Sequence, residues 1–144
     1  MNREYTKEHY TISTDKDKLQ LKVIHDFLKN SYWAKGIAFE TVKKAAENSL
    51  CFGMYYQNEQ MGFARVITDY TSFGYIADVF ILKEHRGKGL SKWLMKTILD
   101  YPDLQKLRKW ALRTADAHSL YSRFGFGSPK EPESYMEYVP DKTK

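Results

Sequence analysis

Apolar residues recur at a helical spacing in the first third of the chain. Between residues 18 and 48 they return every three or four positions, which predicts two amphipathic helices, over Lys18–Lys29 and Phe39–Asn48. The short alternating stretch Tyr10–Ser13 lies before them and predicts a strand. The leading part of the chain is therefore expected to run β-α-α.

From residue 49 onward, the pattern of apolar residues is typical of strands. Ser49–Tyr56 and Met61–Thr68 are rich in aromatic and β-branched residues, and the polar residues 57–60 between them are typical of a hairpin loop. A third run of this kind, Phe73–Leu82, is broken only by Gly74 and by one aspartate. These runs predict three consecutive strands.

Helical and strand-like segments alternate in the rest of the chain. We predict a helix over Gly89–Asp100, a strand over Trp110–Thr114, a short helix over Ala117–Arg123 and a last strand around Tyr135–Val139. The whole order, β-α-α-β-β-β-α-β-α-β, indicates an α+β fold around a mixed sheet. Since no repeat or Pro/Gly/Ser-rich linker interrupts it, a single domain over residues 1–144 is expected.

Composition narrows the class of protein. With 42% hydrophobic and 15% aromatic residues, the 144-residue chain has enough apolar area for one folded core. No apolar run approaches the roughly 18 residues that span a bilayer, and Met1–Tyr10 lacks the apolar centre of a signal peptide. The single cysteine, Cys51, cannot form an internal disulfide and is expected to fill the core. A cytoplasmic protein that does not contact a membrane is predicted.

The charge balance favours an anionic partner. Lysine and arginine outnumber the acidic residues by 23 to 18, which gives a formal charge of +5. Such an excess attracts either nucleic acid or a cofactor that carries several phosphates. The basic residues are spread along the chain rather than gathered in a tail, which disfavours nucleic acid.

The segment from Lys83 to Ser91 carries the most specific chemistry. It lies between a predicted strand and a predicted helix, where unpaired amides and the helix dipole favour an anion. Its two glycines would let a phosphate approach the backbone, and Arg86 and Lys88 add positive charge. The alternative is a glycine-containing turn with solvated basic residues. The spacing matches neither a nucleoside-triphosphate P-loop nor a dinucleotide-binding βαβ unit.

Two motifs resemble those of one enzyme superfamily. Arg86-Gly87-Lys88-Gly89-Leu90-Ser91 resembles the Arg/Gln-x-x-Gly-x-Gly/Ala signature of the GNAT acetyltransferases. Tyr121-Ser122-Arg123-Phe124-Gly125-Phe126 resembles the later Tyr-x-x-x-Gly-Phe element of the same superfamily. The resemblance spans Leu50 to Phe126 and implies a GNAT-like mixed, largely antiparallel central sheet flanked by helices.

The resemblance implies acetyl-coenzyme A as the cosubstrate. In such enzymes the loop amides hold the pyrophosphate, and the preceding strand separates from its neighbour so that the pantetheine arm adds to it as a further strand. A strand amide near Phe80 would stabilise the thioester oxyanion, and Tyr121 would protonate the departing thiolate. Asp116 and His118 stand near the place where many relatives have a pantetheine-binding asparagine. The implied cofactor-binding residues are Phe80, Ile81, Leu82, Arg86, Gly87, Lys88, Gly89, Leu90, Ser91, Asp116 and His118.

One carboxylate is a candidate for work on the acceptor amine. Asp78 lies inside the apolar run Tyr75–Leu82, where burial would raise its pKa. Members of the superfamily often have a glutamate on this strand that acts as the general base. Asp78 is therefore a candidate base or substrate anchor. The alternative is that it pairs with Arg65 at a sheet edge.

Further residues are candidates for acceptor binding. Tyr32 and Trp33 lie between the two leading helices, where the superfamily forms part of its acceptor wall, although packing against the sheet explains them equally well. Asp69 follows the third strand and could bind a cationic amine or start a turn. Arg65 completes this substrate set. No metal ligands stand at a recognisable spacing.

The resemblance implies an N-acetyltransferase that moves an acetyl group from acetyl-coenzyme A directly to a small-molecule or protein amine. Tyr121 is the predicted general acid. The sequence does not identify the acceptor amine. One alternative is a non-catalytic acyl-coenzyme A sensor, which would need neither Tyr121 nor Asp78. A basic nucleic-acid-binding domain is a second alternative, to which the run Arg108-Lys109-Trp110 points weakly. Both a monomer and a homodimer fit the sequence.

Overall fold

Strand-forming runs from both halves of the chain meet in one six-stranded sheet. A computed structural model describes residues 1–140, which form two compact units: residues 1–114, and a second unit that begins at residue 115. The strands are β1 (Glu4–Lys7), β2 (Tyr10–Ser13), β3 (Leu50–Tyr56), β4 (Glu59–Thr68), β5 (Phe73–Ile81) and β6 (Lys109–Leu112). The helices are α1 (Leu21–Leu28), α2 (Phe39–Glu47) and α3 (Leu90–Leu99) in the first unit and α4 (His118–Ser122) in the second.

The strands of the first unit follow one another in chain order, from β1 at one edge of the sheet to β6 at the other. Each neighbouring pair is antiparallel except β5 and β6, which are parallel. A parallel pair requires a crossover, and α3 lies within that connection. The predicted α+β fold with a mixed, largely antiparallel sheet is confirmed.

Helices α1 and α2 bury their apolar stripes in one cluster with the sheet. The cluster contains Ile24, Leu28, Val42, Ala46, Cys51, Phe63 and Phe80. Phe52 follows Cys51 and so points to the opposite face of the sheet, where its ring contacts Tyr101, just after α3. The sheet is therefore covered by α1 and α2 on one face and by α3 on the other.

The hairpin between β3 and β4 is tighter than the sequence indicates. Tyr56 pairs with Glu59, so only Gln57 and Asn58 form the turn, and both have positive φ, 51° and 66°. This backbone is that of a two-residue hairpin turn, whose twist matches that of the flanking strands.

Strand β1 was not predicted. It forms a hairpin with β2, pairing Lys7 with Tyr10, and its side chains are mostly exposed. An edge strand that contributes little to the core carries a weak hydrophobic pattern, so its sequence Glu-Tyr-Thr-Lys resembles a loop. The first helix also begins later than predicted, because Lys16–Lys18 form a separate 3₁₀ turn.

The predicted last strand around Tyr135–Val139 is wrong. Within residues 1–140 this segment belongs to no strand, and Pro132–Ser134 before it form a 3₁₀ turn. The alternation of apolar and polar residues gives it strand propensity, but a strand also needs a neighbour to complete its ladder. No ladder reaches these residues in the part of the chain that the structure describes.

Among residues 1–140, none of the helices combines the length and the apolar character that crossing a membrane requires.

Candidate active site

The candidate site begins where β5 ends. The Leu82 amide donates to the Met61 carbonyl at 2.7 Å, so the chain stays joined to β4 up to this point. A 3₁₀ turn over Lys83–His85 follows, and Arg86 then folds back so that its Nε donates to the Ile81 carbonyl at 2.9 Å. These two contacts hold the loop of residues 86–91, which we call the signature loop, at the end of the strand.

Both glycines of the signature loop have left-handed backbone conformations. Gly87 has φ +80° and Gly89 has φ +76°, a region that side-chain-bearing residues rarely adopt. A Cβ added at either position would meet no atom within 4 Å. The glycines are therefore required by the backbone conformation, and the space beside them is open to a ligand.

The amides of the signature loop are available to an anion. Gly89 is the N-cap of α3, and its carbonyl accepts from Trp93 at 3.2 Å, which closes the first turn of the helix. Within residues 1–140, the amides of residues 87–92 have no hydrogen-bond partner. Unpaired amides at a helix N-terminus carry partial positive charge, which suits a phosphate.

Strand β5 has an open edge beside this loop. Its pairing with β6 runs from Phe73 to Ile76, whereas its pairing with β4 continues to Ile81. In the described part of the chain, the edge of residues 77–81 that faces away from β4 is therefore unpaired with β6. This agrees with the separation of strands that the family resemblance implies, and it leaves room for an extended ligand to add as a strand.

The side chains at the end of β5 point into the protein. Phe80 is 4% exposed and stacks on Phe27 of α1, with ring centroids 4.2 Å apart and planes 11° from parallel. Ile81 is also buried, and Leu82 is half-buried. Any ligand on this strand would thus contact its backbone, while the side chains anchor it.

Asp78 lies at an irregularity of β5. Its φ is +56°, and the register with β4 shifts between Phe63 and Arg65, as in a β-bulge. Its Oδ2 accepts from Nε of Arg65 at 2.6 Å, and its Oδ1 accepts from Nε1 of Trp33 at 2.8 Å. The pairing with Arg65, which the sequence leaves as an alternative, is present. The bond to Trp33 was not predicted and has no local signal in the sequence.

The ion pair is largely shielded from water. The Asp78 and Arg65 side chains are 11% and 18% exposed, and Arg65 also donates from Nη1 to the Ser49 hydroxyl at 3.1 Å. The carboxylate and the guanidinium have opposite charges and are joined by a short hydrogen bond. The geometry accordingly suits a fixed anchor.

Tyr32 and Trp33 present aromatic surface between α1 and α2. They are 63% and 43% exposed, and their rings meet edge to face at 5.1 Å. The ring of Trp33 also packs near that of Phe27, with ring centroids 6.1 Å apart. The exposed faces are consistent with the acceptor wall that the resemblance implies.

Asp69 organises the turn between β4 and β5. Its Oδ1 accepts from the amides of Thr71, Ser72 and Phe73, and its Oδ2 accepts from the Ser72 hydroxyl. The Ser72 hydroxyl and then these amides hold the pKa of Asp69 well below its usual range. Of the two roles that the sequence allows, the structure shows the turn.

Cys51 is enclosed by protein. Its thiol lies 3.3 Å from the Ala46 carbonyl, and burial raises its pKa to about 11. A thiol in this state is not a nucleophile at neutral pH, which agrees with the core-filling role expected for it.

In the second unit, the later motif forms a local turn. The Phe126 amide donates to the Tyr121 carbonyl at 3.3 Å, and the two rings meet edge to face at 6.2 Å. Gly125, with φ +96°, allows the chain to turn back in this way. His118 begins α4 and Asp116 lies just before it. The spacing of the motif thus reflects a turn that holds Tyr121 in place.

The sequence matches a protein-family model and a curated relative. The model of the acetyltransferase (GNAT) family matches residues 21–126. A provisionally named acetyltransferase of Gibberella zeae is 30% identical in an alignment 142 positions long, gaps included, that covers 84% of this chain and 80% of that protein.

Solved structures of acetyltransferases are also similar to this chain. A provisionally assigned GNAT acetyltransferase of Xanthomonas campestris pv. campestris is 48% identical, with a TM-score of 0.89 and coverage of 94% of this chain and 96% of that one. A GNAT acetyltransferase of Elizabethkingia anophelis with bound acetyl-coenzyme A shares the fold at 16% identity, with a TM-score of 0.66 and coverage of 94% and 91%. The resemblance found in the two motifs is confirmed, and the chain belongs to the GNAT family of acetyltransferases.

Proposed function

We propose that the protein transfers an acetyl group from acetyl-coenzyme A directly to an amine. The observation that carries this proposal is the junction of two features at the end of β5. Among residues 1–140, the amides of residues 87–92 have no partner, and they follow in the chain a strand whose edge at residues 77–81 is not paired with β6. Together they suit a ligand with a pyrophosphate at one end and an amide-containing arm at the other. The neighbour from Elizabethkingia anophelis and one from Clostridium acetobutylicum hold acetyl-coenzyme A.

The cofactor-binding groups are mainly backbone groups. The amides of residues 87–91 would hold the pyrophosphate, with Arg86 and Lys88 adding charge. The pantetheine arm would extend along residues 77–82 as an added strand. An amide near Phe80 would then donate to the thioester oxygen as negative charge develops there.

The chemistry is a direct acyl transfer. The neutral amine attacks the thioester carbonyl carbon, the C–S bond breaks, and the oxyanion collapses to an amide. Tyr121 gives its phenolic proton to the departing thiolate, and the proton that the attacking nitrogen loses as the amide forms restores the phenol, directly or through water. The ordinary pKa of a phenol, about 10, lies well above neutral pH, so a phenol with that pKa still carries a proton to donate.

The attacking amine must first lose a proton, and Asp78 is our candidate base or substrate anchor. Its bonds to Arg65 and Trp33 support the anchor role, because they hold the aromatic surface of the α1–α2 connection against β5. Water could then carry the amine proton away.

Calorimetric titration with acetyl-coenzyme A and with desulfo-coenzyme A tests the proposal, followed by an amine screen for thiol release. We expect micromolar binding of both ligands and turnover with at least one amine. Binding without turnover for any amine would favour an acyl-coenzyme A sensor. No binding of either ligand would contradict the cofactor site itself.

A further inference from the structure

One tyrosine connects the signature loop to β2. Tyr10 is 8% exposed, and its hydroxyl lies 2.9 Å from Nδ1 of His85, in the 3₁₀ turn before the loop. The same hydroxyl lies 3.4 Å from Nζ of Lys88, inside the loop. A single phenol oxygen therefore contacts two side chains that follow it by 75 and 78 positions.

The chemistry of the three groups sets the direction of these bonds. An ammonium group only donates, so the Tyr10 oxygen accepts from Lys88. The Tyr10 proton is then free to be donated to His85 in the tautomer whose Nδ1 carries no proton. In this arrangement Lys88 meets an oxygen whose own proton points away from it.

Aromatic packing holds the tyrosine in place. Tyr56 is its partner in the ladder between β2 and β3, and its ring lies 5.1 Å from that of Tyr10 and 5.3 Å from that of His85. The hydroxyl of Tyr56, unlike that of Tyr10, has no hydrogen-bond partner in the described residues 1–140. The two tyrosines share the same aromatic cluster, but only one of them contacts the loop.

The contact restrains a side chain that would otherwise be mobile. Lys88 is exposed and lies between two glycines, so its backbone and its long side chain both lose entropy when they are ordered. A tyrosine that already contacts the ammonium lowers that entropy loss on binding.

We infer that Tyr10 is a positioning residue for the cofactor: with His85 as its acceptor, it holds the ammonium of Lys88 beside the amides of residues 87–92, where the ammonium binds a phosphate of coenzyme A. The inference rests on the proposed function, because it needs acetyl-coenzyme A as the ligand. It adds two residues outside the signature loop to the determinants of cofactor affinity.

A double-mutant cycle on the full chain tests the inference, with acetyl-coenzyme A binding measured by calorimetry. Tyr10→Phe should raise Kd about three- to tenfold, the effect of losing one hydrogen bond of ordinary strength. With an amine found in the screen, KM for acetyl-coenzyme A should rise by a similar factor while kcat is retained. Tyr56→Phe is the matched control, since it removes a hydroxyl from the same cluster, and it should leave Kd unchanged.

The cycle separates positioning of Lys88 from general support of the fold. In the Lys88→Met background, Tyr10→Phe should cause no further loss of affinity. His85→Leu should weaken binding as Tyr10→Phe does, whereas His85→Asn keeps an acceptor oxygen near the place of Nδ1 and should restore it. Thermal midpoints of all variants show whether a loss of affinity follows a loss of stability.

Acetyl-3′-dephospho-coenzyme A identifies the phosphate. The effect of Tyr10→Phe should vanish with this analogue if Lys88 binds the 3′-phosphate, and should persist if it binds the pyrophosphate. If the wild type fails to bind acetyl-coenzyme A, the proposed function fails. If the wild type binds and Tyr10→Phe binds equally well, or loses the same factor in the Lys88→Met background, this inference alone is overturned.

Discussion

The indole N–H of Trp33 donates to Oδ1 of Asp78 across 2.8 Å, although the two residues are 45 positions apart. The other carboxylate oxygen accepts from Nε of Arg65. One side chain thereby ties the connection between α1 and α2 to the bulge of β5, close to where that strand leaves β6. The surface proposed for the acceptor and the strand proposed for the cofactor are linked at this carboxylate.

Replacing Asp78 by asparagine separates its two candidate roles. Asparagine tolerates the positive φ at this position and keeps one acceptor oxygen, so the fold should survive with a loss of about 1–3 kcal/mol in the free energy of unfolding. If Asp78 is the base, kcat should fall by about 10²–10⁴ while Kd for acetyl-coenzyme A is retained. Turnover and chemical denaturation together measure both effects.

Trp33→Phe is the companion variant. It removes the indole donor but keeps an aromatic ring, so it weakens only the anchor. If the two variants raise KM for the amine to a similar extent and leave kcat intact, Asp78 is an anchor and the base role is excluded.

Tyr121→Phe should lower kcat by about 10²–10⁴ without changing Kd for acetyl-coenzyme A, because it removes the proton donor and keeps the ring that contacts Phe126. Thiol release against pH provides the measurement. Tyr135→Phe is a control in the same unit, since that side chain is 66% exposed and should be dispensable. Unchanged turnover of Tyr121→Phe across the pH range would remove Tyr121 from the mechanism.

Gly89→Asp should abolish binding of acetyl-coenzyme A, because it places a negative side chain beside the amides proposed for the pyrophosphate. Gly36→Asp is a closely matched control: its φ is +77°, against +76° at Gly89, and neither position has an atom within 4 Å of an added Cβ. The two variants should therefore lose similar stability, while only Gly89→Asp loses affinity. Equal affinity in calorimetry would show that the pyrophosphate lies elsewhere.

Cys51 should resist alkylation in the folded protein. Its pKa is raised to about 11 by burial, so at pH 8 nearly all of it is the unreactive thiol, and the side chain is 1% exposed. Mass spectrometry after iodoacetamide treatment should show little modification of the native protein and complete modification in denaturant. Rapid stoichiometric modification of the native protein would contradict the burial of this side chain.

Asp69 should contribute to stability at neutral pH and lose that contribution in acid. Its pKa is lowered in the folded state, mainly by the Ser72 hydroxyl, so the stabilisation is fully present above the ordinary aspartate pKa of about 3.9 and declines as the pH falls below it. Asp69→Asn should thus unfold at lower denaturant concentration than the wild type at pH 7, with a smaller difference near pH 3. A difference that is the same at both pH values would exclude this linkage.

The features that the sequence predicts well are those that arise between near neighbours in the chain. Gly87 and Gly89 are needed for a left-handed backbone at the start of one helix, and the motif from Tyr121 to Phe126 describes a single turn. The spacing of apolar residues in α1, α2 and α3 likewise follows from which face of each helix is buried. Such constraints act over a few residues, so they leave a pattern that can be read without the fold.

The features that the sequence did not predict depend on residues that only folding brings together. Nothing near Trp33 indicates that its indole bonds to Asp78, and nothing near Tyr10 indicates that its hydroxyl lies between His85 and Lys88. Strand β1 forms although its pattern is weak, because β2 offers an edge, whereas residues 135–139 have a strand pattern and form none within the described chain. The sequence by itself determined the family, most of the helices and strands, and the signature loop. The tertiary structure decided which long-range partners met, because hydrogen bonds between distant residues depend on how strands and helices are arranged in space and leave no period in the chain.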